Sequence, residues 1–303
     1  MENKKPGICP VCLSKAYFWK EKTSKKIRYR IEKCDNCGHA FVNPRPSFDE
    51  IAAFYSNSEQ NKKEYTVTEE TIINERKKQH EETGDAHDLI KEIENTNTNK
   101  ECKAFLDVGC GSGFFSKEAT EKGFDVVSLE LSSGKRAIAK KLLGKEPLAT
   151  SFEDYDSEQR FSVILMSQIL EHVVDINLWI RKANWLLARE GVLVISLPNF
   201  NSVFRFFLQE KDPFICPPIH LNFFNSKSIK LLLEKHGFRI KKIENISRIP
   251  SSVLEKRIPG LFRTTVPAWT LFANILLKIM NLFHMGMMIN VFAVKKENVD
   301  NER

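Results

Sequence analysis

The stretch Asp107-Val108-Gly109-Cys110-Gly111-Ser112-Gly113 ends one apolar run, 104–108, and opens a helical pattern over 114–122. A short apolar run bounded by glycines reads as a buried strand, and the 3.6-residue spacing after it reads as a helix. Gly109, Gly111 and Gly113 let the backbone turn sharply and approach a ligand without a Cβ in the way. Asp107, at the end of the strand, can organise that turn and reach polar groups of whatever sits there.

Working outward, Gly123 ends the helix and 125–129 forms a second strand. A helix near 135–143 and a short strand at 147–150 follow. Next come an apolar strand at 161–166, a helix at 177–188 closed by Gly191, and a strand at 192–197 ended by Pro198. Strands alternating with helices predict a parallel sheet covered on both faces, and right-handed crossovers make it doubly wound. A helix at 226–236, a strand, an apolar helix at 268–283 and a last strand at 289–295 complete the pattern. The expected fold is α/β: a Rossmann-like, mostly parallel seven-stranded sheet with a last antiparallel strand, preceded by a small zinc ribbon. The expected division is 1–45 zinc ribbon, 46–100 polar helical linker or lid, and 101–303 α/β domain. The linker ends in Asn95-Thr96-Asn97-Thr98-Asn99.

In such a sheet the ligand lies beyond the carboxyl ends of the strands. Glu130 follows the second strand, placed to accept hydrogen bonds from ribose hydroxyls and to disfavour a 2′-phosphate. The turn lacks the Gly-x-Gly-x-x-Gly spacing of dinucleotide sites, and no Gly-Lys-Ser/Thr follows it, which excludes a phosphate-loop NTPase.

Cys9-Pro10-Val11-Cys12 and Cys34-Asp35-Asn36-Cys37-Gly38 are two C-x2-C pairs separated by 21 residues. Four thiolates so arranged form a tetrahedral zinc site, and with no position open to water the metal is structural. So small a module draws its folding energy from the metal. Seven cysteines behind a polar, lysine-rich start argue for a reducing, cytoplasmic setting. The net charge is +7, and residues 1–40 hold ten Lys/Arg against four acidic residues, a local +6. That basic module suits phosphates or is simply a solvated face. The apolar stretch 265–294 is interrupted by Pro267, Lys278 and Gly286. It is read as a buried or pocket-covering helix in preference to a membrane span, with weak membrane-surface contact left open.

With these residues in view, the chain resembles class I S-adenosylmethionine-dependent methyltransferases. Leu106 to Gly113 match the family's first motif, Glu130 the residue after the second strand, and Ser151-Phe152-Glu153 the region after the third. Gln168-Ile169-Leu170-Glu171-His172 and Leu197-Pro198-Asn199 match the regions after the fourth and fifth strands. The resemblance covers roughly residues 100–245. It implies that Asp107, Gly109, Cys110, Gly111 and Gly113 line the methionine and ribose portion. Glu130 would bind the ribose diol, Leu131 and Phe152 would flank adenine, and Ser151, Glu153 and Gln168 would border the pocket. Glu153 departs from the commoner Asp, and Phe152 reads equally as a core aromatic.

The cysteine pairs and Asn43-Pro44-Arg45-Pro46 sharpen the comparison toward bacterial methyltransferases of sugars, surface glycans and secondary metabolites. In the sugar enzymes a Glu-His pair after the fourth strand is tied to proton abstraction, and Glu171-His172 matches it. The expectation is that this chain, shorter than those sugar enzymes, does without their second C-terminal domain, which argues against that particular substrate.

His172 is the first candidate base, with Glu171 orienting it; the alternative is that both cap the next helix. His220, in Pro217-Pro218-Ile219-His220, is the second, its alternative a histidine packed on Phe223 and Phe224. Tyr55 and Tyr65 are further candidates to close over an acceptor, with packing the preferred role. The expected activity is methylation of a small molecule, a sugar, sugar nucleotide or related metabolite, on oxygen or carbon. The alternative is an RNA methyltransferase whose basic ribbon binds phosphates, opposed by Ser167-Gln168-Ile169-Leu170 where an amino-methylating enzyme carries Asn/Asp-Pro-Pro-Tyr. A third reading is a scaffold that binds cofactor or zinc without turnover. The oligomeric state is not legible in the sequence.

Overall fold

A computed structural model describes residues 6–47, 50–51, 74, 84–97, 99–247 and 266–296. The turn at Asp107 lies between strand β5 (Ala104–Val108) and helix α2 (Phe114–Glu121), as its glycines predict. Strands β6 (Asp125–Leu129), β7 (Phe161–Ser167) and β8 (Leu187–Pro198) run parallel to β5. Strands β10 (Phe238–Ile246) and β11 (Met288–Lys295) complete a sheet of order β10-β11-β8-β7-β5-β6. β11 is antiparallel to both neighbours, the expected reversed last strand. β5 sits between β6 and β7, so the connections diverge at its carboxyl end and open a crevice there.

Helix α3 (Ser133–Leu143) follows β6 and helix α4 (Ile176–Leu186) precedes β8. Both have side-chain caps that name their starts. Ser132 accepts from the Lys135 N–H, and Asp175 accepts from the N–H groups of Asn177 and Leu178. Helix α6 (Ser226–Lys235) opens on a reciprocal capping box between Asn225 and Ser228.

Four expectations change. The strand expected at 147–150 is a single parallel bridge, Leu148 to Leu129, so the described sheet has six ladder strands and one bridge rather than seven. Leu148 makes both bonds to the β6 chain, donating to Ser128 and accepting from Glu130, but it lies on the sheet edge and is 47% exposed. Gly191 does not close a helix. α4 ends at Leu186 and β8 begins at once, with an excursion between Leu187, opposite Phe161, and Val192, opposite Val163. Helix α1 (Asp85–Thr96) runs into the Asn/Thr segment read as linker. It buries Leu89, Ile90 and Ile93 in one core with Phe105, Val163 and Val194 of the sheet. Helix α7 (Val266–Leu282) is not a buried helix: Leu271, Phe272 and Leu282 are 64%, 61% and 80% exposed, while Leu277 faces the protein. No helix among the described residues is long and apolar enough to cross a membrane.

The cysteine-bearing segment forms a second sheet of β1 (Gly7–Ile8), β2 (Lys15–Ser24), β3 (Ile27–Cys34) and β4 (Ala40–Val42). Its fifth strand is borrowed. β9 (Asn222–Phe223), from the loop after β8, pairs antiparallel with β4. Cys9, Val11, Cys34, Cys37 and Phe41 share one core with Phe224, Ile229 and the central sheet.

Candidate active site

The turn after β5 uses its glycines for different reasons. Gly109, Gly111 and Gly113 have φ of 66°, 57° and 85°, a region that side chains with a Cβ rarely enter. A Cβ on Gly109 would stand 2.3 Å from Ile169 Cδ1, whereas one on Gly111 would meet nothing within 4 Å. Gly111 therefore fronts open space, and Gly109 is pressed by the loop that follows β7. Cys110 is buried within the turn, its N–H donating to the Leu129 carbonyl at 2.9 Å.

Behind the turn Asp107 is 1% exposed and accepts a 2.6 Å hydrogen bond from Ser116, whose hydroxyl lies 2.8 Å from that of Ser128. Burial pushes the Asp107 carboxyl up to about 7, with the Glu130 charge adding and Ser116 opposing. Glu130, just past β6, accepts from the Gly111 N–H at 3.0 Å through one oxygen and from the Ser132 N–H at 2.8 Å through the other. Each oxygen keeps a second lone pair for an incoming hydroxyl. Leu131, 66% exposed, adds an apolar rim beside it. An open glycine cradle with a fixed carboxylate and an exposed apolar side chain fits a nucleoside with a neutral ribose.

The region after the bridge is more self-contained. Ser151 donates to Asp154 Oδ2 at 2.7 Å and accepts from the Asp154 N–H at 3.0 Å. Phe152 is 2% exposed and packs on Trp179 with ring centroids 4.9 Å apart, while Trp179 donates to Glu153 at 2.6 Å. Gln168 is exposed, with φ 54°, and its N–H donates to the Ser196 carbonyl at 2.7 Å.

Glu171 and His172 lie in a single 3-10 turn after β7, and the structure brings His220 to them. The two imidazoles stand edge to face with centroids 4.8 Å apart. His172 Nδ1–H donates to the Ile219 carbonyl at 2.8 Å and His220 Nδ1–H to the Phe214 carbonyl at 2.7 Å. A carbonyl can only accept, so in the neutral rings both lone pairs sit on Nε2. Burial lowers the His172 imidazole, and burial with His172 beside it pushes His220 down to about 4. Glu171 is buried with neither carboxyl oxygen partnered, and burial pushes it up to about 8. Tyr55 and Tyr65 lie outside the described residues.

Sequence reasoning missed the residues that hold this trio. Asn222 donates to the Val173 carbonyl at 2.7 Å, and the Leu221 N–H donates to the Glu171 carbonyl at 2.7 Å. Arg45 then clamps the same loop, donating to the Leu221 carbonyl at 2.9 Å and to Asn222 Oδ1 at 2.6 Å. The sequence signal for Arg45 is its place between two prolines, Pro44 and Pro46.

In the ribbon, Cys9 Sγ lies 3.6 Å from Cys37 Sγ, and Cys12 Sγ 3.4 Å from Cys34 Sγ. Four sulfurs at 2.3 Å from a tetrahedral zinc stand about 3.8 Å apart, so the cluster fits that ion with slight expansion. The hydrogen bond from Cys37 holds the Cys9 thiol below its ordinary range.

Comparison with known proteins places the central part of the chain among methyltransferases. A family model described as a methyltransferase domain matches residues 75–243, more than half of the chain. A ubiquinone biosynthesis O-methyltransferase of Bradyrhizobium diazoefficiens is 32% identical over 101 residues, covering 32% of this chain and 40% of that protein. Another of the same name, from Pelagibacter ubique, is 30% identical over 118 residues, 37% of this chain and 49% of that one. The chain thus spans about two fifths to half the length of these curated relatives. Among solved structures, a SAM dependent methyltransferase from Archaeoglobus fulgidus is 18% identical with a TM-score of 0.49, covering 74% of this chain and 99% of that one. The family match spans the glycine turn, Glu130 and the trio alike, and the chain belongs to the methyltransferase domain family.

Proposed function

We propose that this chain transfers a methyl group from S-adenosylmethionine to a small-molecule acceptor, a sugar, sugar nucleotide or related metabolite. The observation that carries the reading is the contact of Ile169 with Gly109, which joins the cofactor cradle to the loop bearing Glu171 and His172. The name of the curated relatives, O-methyltransferase, favours oxygen over carbon as the acceptor atom. In this reading the ribbon, 1–45, is a zinc-dependent unit. Helix α1 is counted with the catalytic domain whose core it shares, so only the earlier part of 46–100 serves as linker.

When bound, S-adenosylmethionine supplies an electrophilic methyl group, so the protein has to orient an acceptor and remove one proton. Glu130 takes the ribose hydroxyls, with Gly109, Cys110, Gly111 and Gly113 forming the floor and Asp107 bracing it from behind. Leu131, Ser151, Phe152 and Gln168 border the adenine side. His172 accepts the acceptor's proton at Nε2, its ring aimed by the Ile219 carbonyl, and His220 is the second candidate for that task.

Calorimetry with S-adenosylmethionine tests the cofactor half: the wild type binds, and Asp107→Ala or Glu130→Ala weakens binding. Unchanged affinity in both variants would remove the assignment. Turnover by His172→Ala at the wild-type rate would remove the base. A second reading, an RNA acceptor, draws on the basic β2–β3 hairpin, whose Tyr17 and Phe18 are 46% and 52% exposed, with the Arg30 guanidinium 4.8 Å from the Phe18 ring centroid. RNA affinity that falls steeply with salt would favour it.

A further inference from the structure

We infer that Glu171, His172 and His220 form a binding site for one divalent cation of the first transition row, on which an acceptor oxygen can rest. The three ligand atoms lie within 4.8 Å of one another, although they come from two separate loops. Each imidazole donates its Nδ1–H to a backbone carbonyl, which leaves Nε2 as the ligating atom. A ligated histidine takes the same arrangement, its other nitrogen anchored and its ring direction fixed.

The carboxyl group supplies the independent observation. Glu171 is 2% exposed, and neither of its oxygens has a hydrogen-bond partner. A polar group so buried carries a desolvation cost that a partner must offset. A general base needs one imidazole, and that role explains neither the second ring nor the unpartnered carboxyl. A cation accounts for all three.

Two imidazoles and a carboxylate suit zinc, iron, cobalt or manganese better than calcium or magnesium. Three protein ligands leave positions open, as in catalytic sites and unlike the closed four-thiolate cluster. Both rings are only partly buried, so those positions reach solvent. Two adjacent oxygens of an acceptor, as in a vicinal diol, would fill them. With the cation in place His172 Nε2 is its ligand and gives up the role of base, so the acceptor hydroxyl acidifies on the cation and releases its proton to water. Its oxygen forms the bond to the methyl carbon, and the electron pair of the breaking carbon–sulfur bond stays on sulfur. That catalytic role rests on the methyl-transfer reading; the cation site does not.

The test is a Co2+ titration of the full chain, purified with one zinc per chain in the thiolate cluster, followed by calorimetry and absorption. One Co2+ binds without a thiolate charge-transfer band. Glu171→Gln and His220→Ala each weaken it at least about 100-fold, the upper end of what losing an outer-shell partner costs. In the wild type, paramagnetic shifts fall on the ring protons of His172 and His220, a readout that needs no variant. Absence of Co2+ binding, or shifts confined to other histidines, overturns the site. S-Adenosylmethionine binding is measured in parallel. If that fails while Co2+ still binds, the methyl-transfer reading falls and the cation site stands.

Discussion

The glycine cradle after β5 and the trio of Glu171, His172 and His220 are linked by Ile169, which packs on Gly109, yet they are built in opposite ways. The cradle comes from consecutive pieces of chain: a strand, a glycine turn, a helix, and the end of the next strand. Its bonds are local, as in Glu130 with Ser132 and Gly111, or Asp107 with Ser116. The trio joins Glu171 and His172 to a histidine 48 residues further on. Its support comes from further still, because Arg45 and strand β4 hold the His220 loop from the ribbon side. The cradle, whose hydrogen bonds are local, is therefore expected to tolerate damage on the ribbon side better than the trio does.

The largest expected effect separates the two halves outright. Replacing Cys9 and Cys37 by Ser removes two of the four thiols that would hold zinc, and structural zinc contributes about 10–16 kcal/mol of folding free energy in small modules. The ribbon unfolds, β9 loses its partner strand, and methyl transfer is abolished while S-adenosylmethionine still binds. Calorimetry beside a turnover assay reads both quantities. Full turnover in the double variant would mean that the trio does not lean on the ribbon.

The opposite break is Glu130→Ala. Two hydrogen bonds to a charged group are lost at about 1.5–3 kcal/mol each, so cofactor affinity falls at least about tenfold. The Co2+ titration at Glu171 should not move. If cofactor and cation affinities fall together, the two halves are one coupled unit and the comparison fails.

The same division explains what the sequence revealed. Strand β5, β6 and the glycine turn were legible to the residue because each is fixed by neighbours in the chain. Glu171, His172 and His220 were each legible as candidates, but nothing in the spacing of 171 and 220 says that their side chains meet. Strand β9 has two residues and no hydrophobic period of its own; only its pairing with β4 makes it a strand. The bridge at Leu148 and the early end of α4 were misjudged for related reasons. Pairing with Leu129 at the sheet edge extends over Leu148 alone, and Leu187 pairs with Phe161 directly after α4, four residues before Gly191. Helix α7 looked buried because its composition is apolar, and composition does not say whether anything covers a face.

A smaller effect sharpens the comparison at Arg45. Arg45→Met keeps the aliphatic stem but removes both donors to the His220 loop, leaving Asn222 Oδ1 short of a partner. An unsatisfied buried acceptor costs about 1–3 kcal/mol. The expected result is a several-fold drop in kcat with cofactor affinity unchanged. Equal losses in both would assign Arg45 to general stability.

The smallest effect lies inside the cradle and concerns Asp107. Its carboxyl is raised to about 7, first by burial and then by Glu130, against the hydrogen bond from Ser116. In the unfolded chain the same group titrates near 3.9. Between those values the folded protein holds a proton that the unfolded chain has released, so stability is greatest at the acid end. It declines as pH rises from about 4 toward 7. The cofactor-free wild type should therefore lose Tm steadily across that window. Asp107→Asn keeps an oxygen for Ser116 and removes the titration, so its Tm should vary less over the same range. An identical slope in the variant would move the pH dependence to another group, with the buried Glu171 the next to examine.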